Sequence, residues 1–595
     1  MKFFKTFLAS TLGTLLAIFI LFIIGFIMII SSSKEPEPYI RDNTVLKLNI
    51  SGNIPGRTII NPFDEFIRKK IGDHVSLESL KKNLKKAAVD DHIKGVWLNI
   101  NFVSAPWSTL QEANTILENF KKNSGKFIYA STDDQGLNEK GYFLATSADS
   151  IFSPPASFFE FDGFYTQTTF YKKLLDKVGV KAEITRKGKY KSAVEPFMRT
   201  DNSEASDYQL RQIVDKISSV FVNQISEKTG KSADEINGML NTQPHINADF
   251  AYQNGLINGL IYPEEVENKM KKRMGVSAED ELETISNSRY LKVSNESAGL
   301  TTPDTKNKIA VLYADGMIVS QSPTESPLQQ EQFITANSIR KELQSIREDD
   351  QVKALVVRIN SPGGSGSTSD LIWHMLRQTS EDVPVIASMG PVAASGGYYM
   401  AMAADTIVAM PTTITGSIGV FGTKFNAKDL LNDKIGLTFD EVKSHKHADW
   451  LNPTRPFSPD EAEAFQRDID KFYETFITKV AERRGLTRDQ VDERAQGRVW
   501  IGSDAKNQQL VDLLGDLDEA VSVAAKKANI DQYKLVSYPK PKSFYELLMN
   551  SAETQVQSLF SMHWLFGSYT KEMEQALNTH ERGVMSLMPY KISVH

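Results

Sequence analysis

Cysteine is absent from all 595 residues. That rules out structural disulfides, thiolate zinc sites, iron–sulfur clusters and a cysteine nucleophile. It leaves the compartment open, because an exported chain can do without disulfides. A basic excess is absent too: 68 Lys and Arg face 74 Asp and Glu, giving a net charge of −6. Nucleic acid is therefore not an expected partner. Histidine is scarce, at 9 residues. His445 and His447 flank Lys446 without any further ligand cluster, so no metal is expected. The stretch SPGGSGS has no G-K-[ST] after it and does not satisfy G-x-G-x-x-G, which argues against a nucleotide loop. No cofactor is expected. What is present is globular: an apolar fraction of 41% and a charged fraction of 24% exclude wholesale disorder. The length calls for at least two hydrophobic cores.

One run differs from the rest. Phe7 to Ile30 reads FLASTLGTLLAIFILFIIGFIMII and carries no charge. At about 1.5 Å per residue it can cross a hydrocarbon core of roughly 30 Å. Lys2 and Lys5 precede it, which favours a cytoplasmic N-terminus with the remainder on the far side. The run exceeds the apolar region of about 7–15 residues in a cleaved signal, and no clear A-x-A site follows. An uncleaved N-terminal transmembrane helix is expected, with the polar, Pro-containing stretch Ser31–Asp42 as its tether. In a bacterium the bulk of the chain would then be periplasmic, held at the inner membrane.

The remainder looks duplicated. GYFLATSAD (Gly141–Asp149) matches GYYMAMAAD (Gly397–Asp405), and IKGVWLNI (Ile93–Ile100) matches VKALVVRI (Val352–Ile359). VLKLNISGNI (Val45–Ile54) resembles IAVLYADGMI (Ile309–Ile318), and Ala248–Val266 resembles Ser503–Val521. The landmarks keep their order. The expected organisation is an anchor and tether (1–42), a first repeat (43–275), a polar linker (276–306), a second repeat (307–540) and a helical tail (541–595). Within each repeat, near-continuous apolar strands alternate with helices, the pattern of an α/β unit whose sheet is covered on both faces. The tail has helical periodicity with Met and aromatic residues. It is expected to be an oligomer or membrane-surface contact, or a capping helix, rather than a catalytic element.

Two glycine-bearing turns mark the second repeat: Asn360–Ser365 and Ser388–Gly397. Both follow strands, where open α/β sheets place ligands. The first repeat has Val103–Pro106 and Gly136–Lys140 at these places and lacks the PGG and SGG runs. A purely structural need would have applied to both copies, so the asymmetry points to a site in the second. Ser395 is a candidate nucleophile, although Ala393 stands where a G-x-S-x-G elbow has its first glycine. The amide of Gly396, with that of Gly363 or Gly364, can form an oxyanion hole. The base is left open by spacing alone: His374 lies mid-helix, His445 and His447 lie in a charged loop, and a lysine is the other possibility. Lys191 sits in KGKYK, a basic run that also reads as a solvated face.

SPGGS, then SMG-x-x-AASGGYY, then TGSIGVFG, together with KGKYKSAVEPF (Lys187–Phe197), resembles the signal peptide peptidase A (protease IV) family. The resemblance covers nearly the whole chain in its long, two-repeat form. It implies an α/β fold of two tandem crotonase-like repeats, shared with the caseinolytic proteases. It implies Ser395 as nucleophile, Lys191 as general base and Ser417 as the serine that orients the lysine amine. It further implies a serine endopeptidase with a Ser/Lys dyad, hydrophobic signal-peptide remnants as substrates, and a homotetramer. A base must be neutral, and burial lowers a lysine from its usual pKa near 10.4. Val178–Lys191 aligns with Ile435–Ala448, which sets Ala448 opposite Lys191 and leaves Lys443 and Lys446 as competitors in the second repeat. Two rival readings remain: a crotonase-type acyl-CoA enzyme, which would not need Ser395, and a non-catalytic membrane scaffold on a protease fold.

Overall fold

The computed structural model describes residues 37–57, 75–133, 135–242, 246–321, 333–540, 584–588 and 594, with scattered positions between 6 and 20. Most of the expected transmembrane helix falls outside the described residues. Among the described residues no helix is long and apolar enough to cross a membrane.

The apolar runs become strands. In the first repeat these are β1 (Thr44–Gly52), β2 (Ile93–Val103), β3 (Phe127–Ser131) and β4 (Ser150–Ser153), followed by β5 (Lys181–Lys187), β6 (Gly259–Leu260) and β7 (Thr284–Ser286). Helices α1 (Leu77–Val89), α2 (Trp107–Ser124) and α3 (Glu139–Ala145) alternate with the early strands, and α4 (Glu204–Thr229) and α5 (Asn287–Leu291) come later. The sheet runs β6-β4-β3-β2-β1-β7, all parallel. Helix starts follow local chemistry. At α1, Ser76 Oγ accepts from the Ser79 amide at 3.2 Å while Ser79 Oγ accepts from the Ser76 amide at 2.9 Å, a reciprocal cap.

The second repeat repeats this plan with β8 (Lys308–Asp315), β9 (Val352–Ser361), β10 (Gly363–Ser365), α6 (Gly366–Asp382), β11 (Val385–Ala394) and α7 (Gly396–Ala401). Then come β12 (Thr406–Ala409), β13 (Ile414–Gly416), β14 (Val420–Asn426), α8 (Pro459–Arg484), β15 (Val499–Ile501), β16 (Leu513–Leu514) and β17 (Lys534–Tyr538). Its sheet runs β15-β13-β11-β9-β8-β17, with β12 beside β11 and β16 beside β12. β9 is buried along nearly its whole length, as a doubly covered strand must be.

Two expectations need correction. The segment read as a polar linker, 276–306, contains β7 and α5. β7 pairs with β1 just as β17 pairs with β8, so the first sheet extends past residue 275. Three-residue β7 is too short for periodicity to reveal. The tail differs more. Residues 541–583 lie outside the described residues, but Met585–Leu587 forms a strand, β18, antiparallel to β10 and bridged to β14. A third sheet thus includes the order β10-β18-β14-β5, and it joins the two repeats because β14 pairs antiparallel with β5 over its whole length. The repeats also share a core: Ala394, Ile414, Val499 and Ile501 of the second pack into the cluster built on the first. Beneath it, buried Glu112 of α2 is paired with buried Arg358 of β9, which also donates to Ser388 Oγ at 3.0 Å.

Candidate active site

β11 ends at Ala394 and α7 begins at Gly396, so Ser395 sits on the turn between strand and helix. Its backbone is at φ 56° and ψ −113°, a conformation that costs a non-glycine residue about 1–3 kcal/mol. The surroundings fix it: the Ser395 amide donates to Gly416 O at 2.8 Å, and Ser395 O accepts from the Tyr399 amide at 2.8 Å. The glycines after it have a packing reason. A Cβ on Gly397 would lie 2.5 Å from Ser361 O, and one on Gly396 would lie 2.6 Å from Ser369 Oγ. Only without side chains can α7 approach β9 and α6 this closely.

Lys191 arrives from the other repeat. β5 pairs with β14, the chain turns at Gly188, and Lys191 precedes a short 3₁₀ turn. Its side chain is fully buried, at 0% exposure. Nζ lies 2.8 Å from Ser395 Oγ, 3.0 Å from Ser417 Oγ and 3.0 Å from Ser417 O. Burial holds its pKa well below the usual lysine range. A neutral amine has two protons and one lone pair. Two donated bonds to Ser417 leave the lone pair facing the Ser395 hydroxyl. Ser417 itself is fully buried, with φ 49°, and its amide donates to Arg498 O at 2.7 Å. The structure therefore brings together Lys191, Ser395 and Ser417, across the boundary between the repeats.

The glycines divide their roles. The Gly363 amide donates to Ser361 Oγ at 3.2 Å, so it is already used within the turn. Gly396, first in α7, has an amide with no acceptor inside its own helix. Gly363 still matters by its lack of a side chain: a Cβ there would lie 2.7 Å from Gly396 N.

The other candidates are placed elsewhere. His374 is exposed on α6, and His445 lies in an exposed segment. Lys446 is exposed and bonded to Asp460, while Lys443 bonds Asp449 Oδ2 at 2.8 Å. In the first repeat, where the matched GY segments set Glu139 opposite Ser395, Asn138 caps α3. It accepts from the amides of Gly141 at 3.0 Å and Val103 at 3.2 Å, and donates to Val103 O at 2.8 Å. That copy has a structural cap where the second has a hydroxyl in a strained turn.

Three contributors escaped the sequence reading. Gln209 of α4 is buried and donates to Ser192 Oγ at 2.9 Å and Tyr190 O at 3.2 Å, and it accepts from the Val499 amide at 3.1 Å. It clamps the lysine turn to β15. Gly497, at φ 75°, lies so close to Lys191 that a Cβ would be 2.7 Å from the lysine Cα. Ser586 of β18 lies 2.7 Å, Oγ to Oγ, from Ser395. Only the glycine carried any local signal, as the usual occupant of a positive-φ turn.

A sequence model of Peptidase family S49 matches residues 121–277 and 377–531, one window in each repeat. A Clp protease model matches residues 315–430. The chain is 35% identical over 519 residues to "Serine protease SPPA, chloroplastic" of Arabidopsis thaliana, covering 87% of this chain and 73% of that protein. It is 33% identical over 494 residues to "Protease 4" of Salmonella typhi, covering 81% and 77%. Against "Protease 4" of Haemophilus influenzae it is 30% identical over 531 residues, covering 86% and 83%. With both repeats matched, and with relatives aligned over most of their own length, the chain belongs to peptidase family S49 as a serine peptidase of the signal peptide peptidase A type, on a Clp-protease-like α/β fold.

Proposed function

We propose that this chain is a membrane-anchored serine endopeptidase that cuts peptides through Ser395 and Lys191, with remnant signal peptides as substrates. The carrying observation is the uncompensated lysine amine 2.8 Å from the Ser395 hydroxyl. Lys191 takes the Ser395 proton as Oγ attacks the peptide carbonyl carbon. The oxyanion is held by the amides of Gly364 and Gly396. Lys191 then returns the proton to the leaving amine as the C–N bond breaks. Water, deprotonated by the same lysine, hydrolyses the ester. Ser417 keeps the amine aimed.

The uncharged run Phe7–Ile30 supports an anchor in the cytoplasmic membrane with the catalytic part on the far side. An anchored hydrolase meets membrane-released apolar peptides at their source. The partner most favoured for assembly is a second copy of this chain. The alignment that sets Val178 opposite Ile435 also sets β5 opposite residues 438–444, and β14 opposite residues 163–169. β5 and β14 pair within the chain, whereas 438–444 and 163–169 belong to none of the sheets among the described residues. The same pairing made between neighbouring copies joins them head to tail. Labelling with a serine-directed fluorophosphonate, followed by peptide mapping, tests the mechanism. Modification is expected at Ser395 and lost in Lys191→Ala; modification at any other serine overturns it.

A further inference from the structure

Glu195 belongs to the KGKYKSAVEPF stretch that carries Lys191, yet the chemistry above does not use it. It opens the short helix Glu195–Met198 just after the lysine turn. Its side chain is only 2% exposed, and a carboxylate taken out of water must be paired and hydrogen-bonded. Oε1 accepts from Ser203 Oγ at 2.7 Å and from Arg186 Nη1 at 3.1 Å, and Oε2 accepts from the Ser203 amide at 3.1 Å. Ser203 in turn caps α4, accepting from the Ser206 amide at 3.1 Å. The carboxylate therefore ties Arg186, near the end of β5, to the start of α4. Arg186 uses one nitrogen for two bonds. Nη1 carries two hydrogens; one goes to Glu195 and the other to Lys191 O at 3.2 Å. That second bond completes a hold on the lysine backbone. The Lys191 amide donates to Gly188 O at 3.2 Å, Gly497 stands against its Cα, and Arg186 takes its carbonyl. Gln209, also on α4, takes the neighbouring carbonyl of Tyr190.

The lysine side chain is a long lever on this backbone. A small tilt of the peptide is enlarged at Nζ, where a misplacement of about 1 Å can cost 10²-fold in rate. We propose that Arg186 and Glu195 are positioning residues for the hydrolysis: Glu195 orients the guanidinium, and the guanidinium fixes the Lys191 carbonyl so that the amine reaches Ser395. The proposal rests on the Ser395–Lys191 chemistry above. The pair acts through its charges as well as its geometry. Arg186 is always protonated. A lone cation beside Lys191 would disfavour the protonated amine, and a lone carboxylate would favour it. Paired, the two offset each other, and burial alone sets the protonation of the amine. The other charges around the turn are Lys187, which is paired with Asp470, exposed Lys189, and Arg498, which lies over the Tyr190 ring. Changes confined to Arg186 and Glu195 leave all of these in place.

The test is the pH dependence of casein hydrolysis by the full chain in detergent, with kcat and KM resolved at each pH and fluorophosphonate labelling of Ser395 in parallel. Glu195→Gln keeps the shape of the side chain and leaves the Arg186 charge unmatched. Arg186→Met leaves the carboxylate unmatched. Both are expected to lower kcat by about tenfold or more, with KM within about threefold. The rising limb of the pH profile should move in opposite directions, by about half a unit to lower pH in Glu195→Gln and by about half a unit to higher pH in Arg186→Met. The double variant removes both charges, so its limb should return to the wild-type position while kcat stays as low as in either single variant. A pair that serves folding alone would lower the melting temperature and leave the limbs where they are. Unshifted limbs in both single variants, a kcat within twofold of wild type, or a loss carried by KM overturns the proposal and leaves the peptidase reading standing. Should Glu195→Gln lose its helical circular dichroism, Arg186→Met decides by the same criteria. A wild type that neither labels at Ser395 nor digests casein overturns the peptidase reading first.

Discussion

Lys191 is buried against oxygens that carry no full charge. Its three contacts are the hydroxyls of Ser395 and Ser417 and one carbonyl, so nothing offsets the loss of water and the neutral amine is favoured. The consequence for pH has one sign. The base works only when unprotonated, so peptide hydrolysis rises with pH through the lowered pKa of Lys191 and is flat above it. An ordinary exposed lysine would keep activity climbing until near pH 10.4. Lys191→Ala is expected to reduce kcat/KM by at least about 10³-fold, in the range for losing a positioned base. Lys446→Ala, at an exposed residue bonded to Asp460, should leave kcat/KM within about twofold. Initial rates on casein across pH 6–10 measure both. The reverse ranking would move the base into the second repeat.

Strands and helices here hold the lysine as much as they hold the fold. The turn bearing Lys191 rests on residues 496–497: Tyr190 donates its amide to Gln496 O at 2.8 Å, and Gly497 touches the lysine backbone. Gly497→Ala adds a methyl 2.7 Å from Lys191 Cα at a φ of 75°, so the turn must move and carry Nζ with it. A drop of at least tenfold in kcat is expected, with far-UV circular dichroism unchanged and KM within threefold; loss of the helical spectrum would mean the glycine serves folding alone. Such contacts explain what sequence could reveal. The long buried strands announced themselves as apolar runs, and the duplication came from their order. Ser395, Lys191 and Ser417 stood in motifs with a family likeness. Gln209 acts from the face of an ordinary amphipathic helix, where no pattern distinguishes a clamp from a surface amide. β7 and β18, at three residues each, exist because neighbouring strands offer free edges, and a segment that short carries no period of its own. The spent Gly363 amide depends on where Ser361 points, which no spacing encodes.

At the scale of the molecule, the two repeats must be held in one fixed relation for the proposed mechanism, which takes its lysine from one and its serine from the other. The Glu112–Arg358 bond crosses that boundary with both side chains only 6% exposed. Glu112→Ala would strand a buried guanidinium and is expected to cost about 3–5 kcal/mol, whereas Glu112→Leu with Arg358→Met should recover most of it; urea unfolding of the two variants measures the difference. The duplication also carries a consequence for assembly. Within the chain, β5 of the first repeat closes onto β14 of the second through seven paired positions. The second repeat's counterpart of β5, residues 438–444, leaves Phe439 52% exposed and Val442 fully exposed. The first repeat's counterpart of β14, residues 163–169, belongs to no helix or strand, and half-buried and exposed residues alternate along 164–169. Each copy thus offers one unmatched partner of each kind, at opposite ends of the duplicated plan. A contact made through them would be heterologous, and under the proposed assembly copies would add head to tail until a ring closes. Phe439→Glu with Val442→Glu places charge in that pairing. Sedimentation of the detergent-solubilised chain is expected to show a closed oligomer for the wild type and a monomer for the double variant. Ser395 labelling should persist in that monomer, because Lys191 and Ser395 meet within one chain. A double variant that sediments as the wild type does would place the subunit contact elsewhere on the surface.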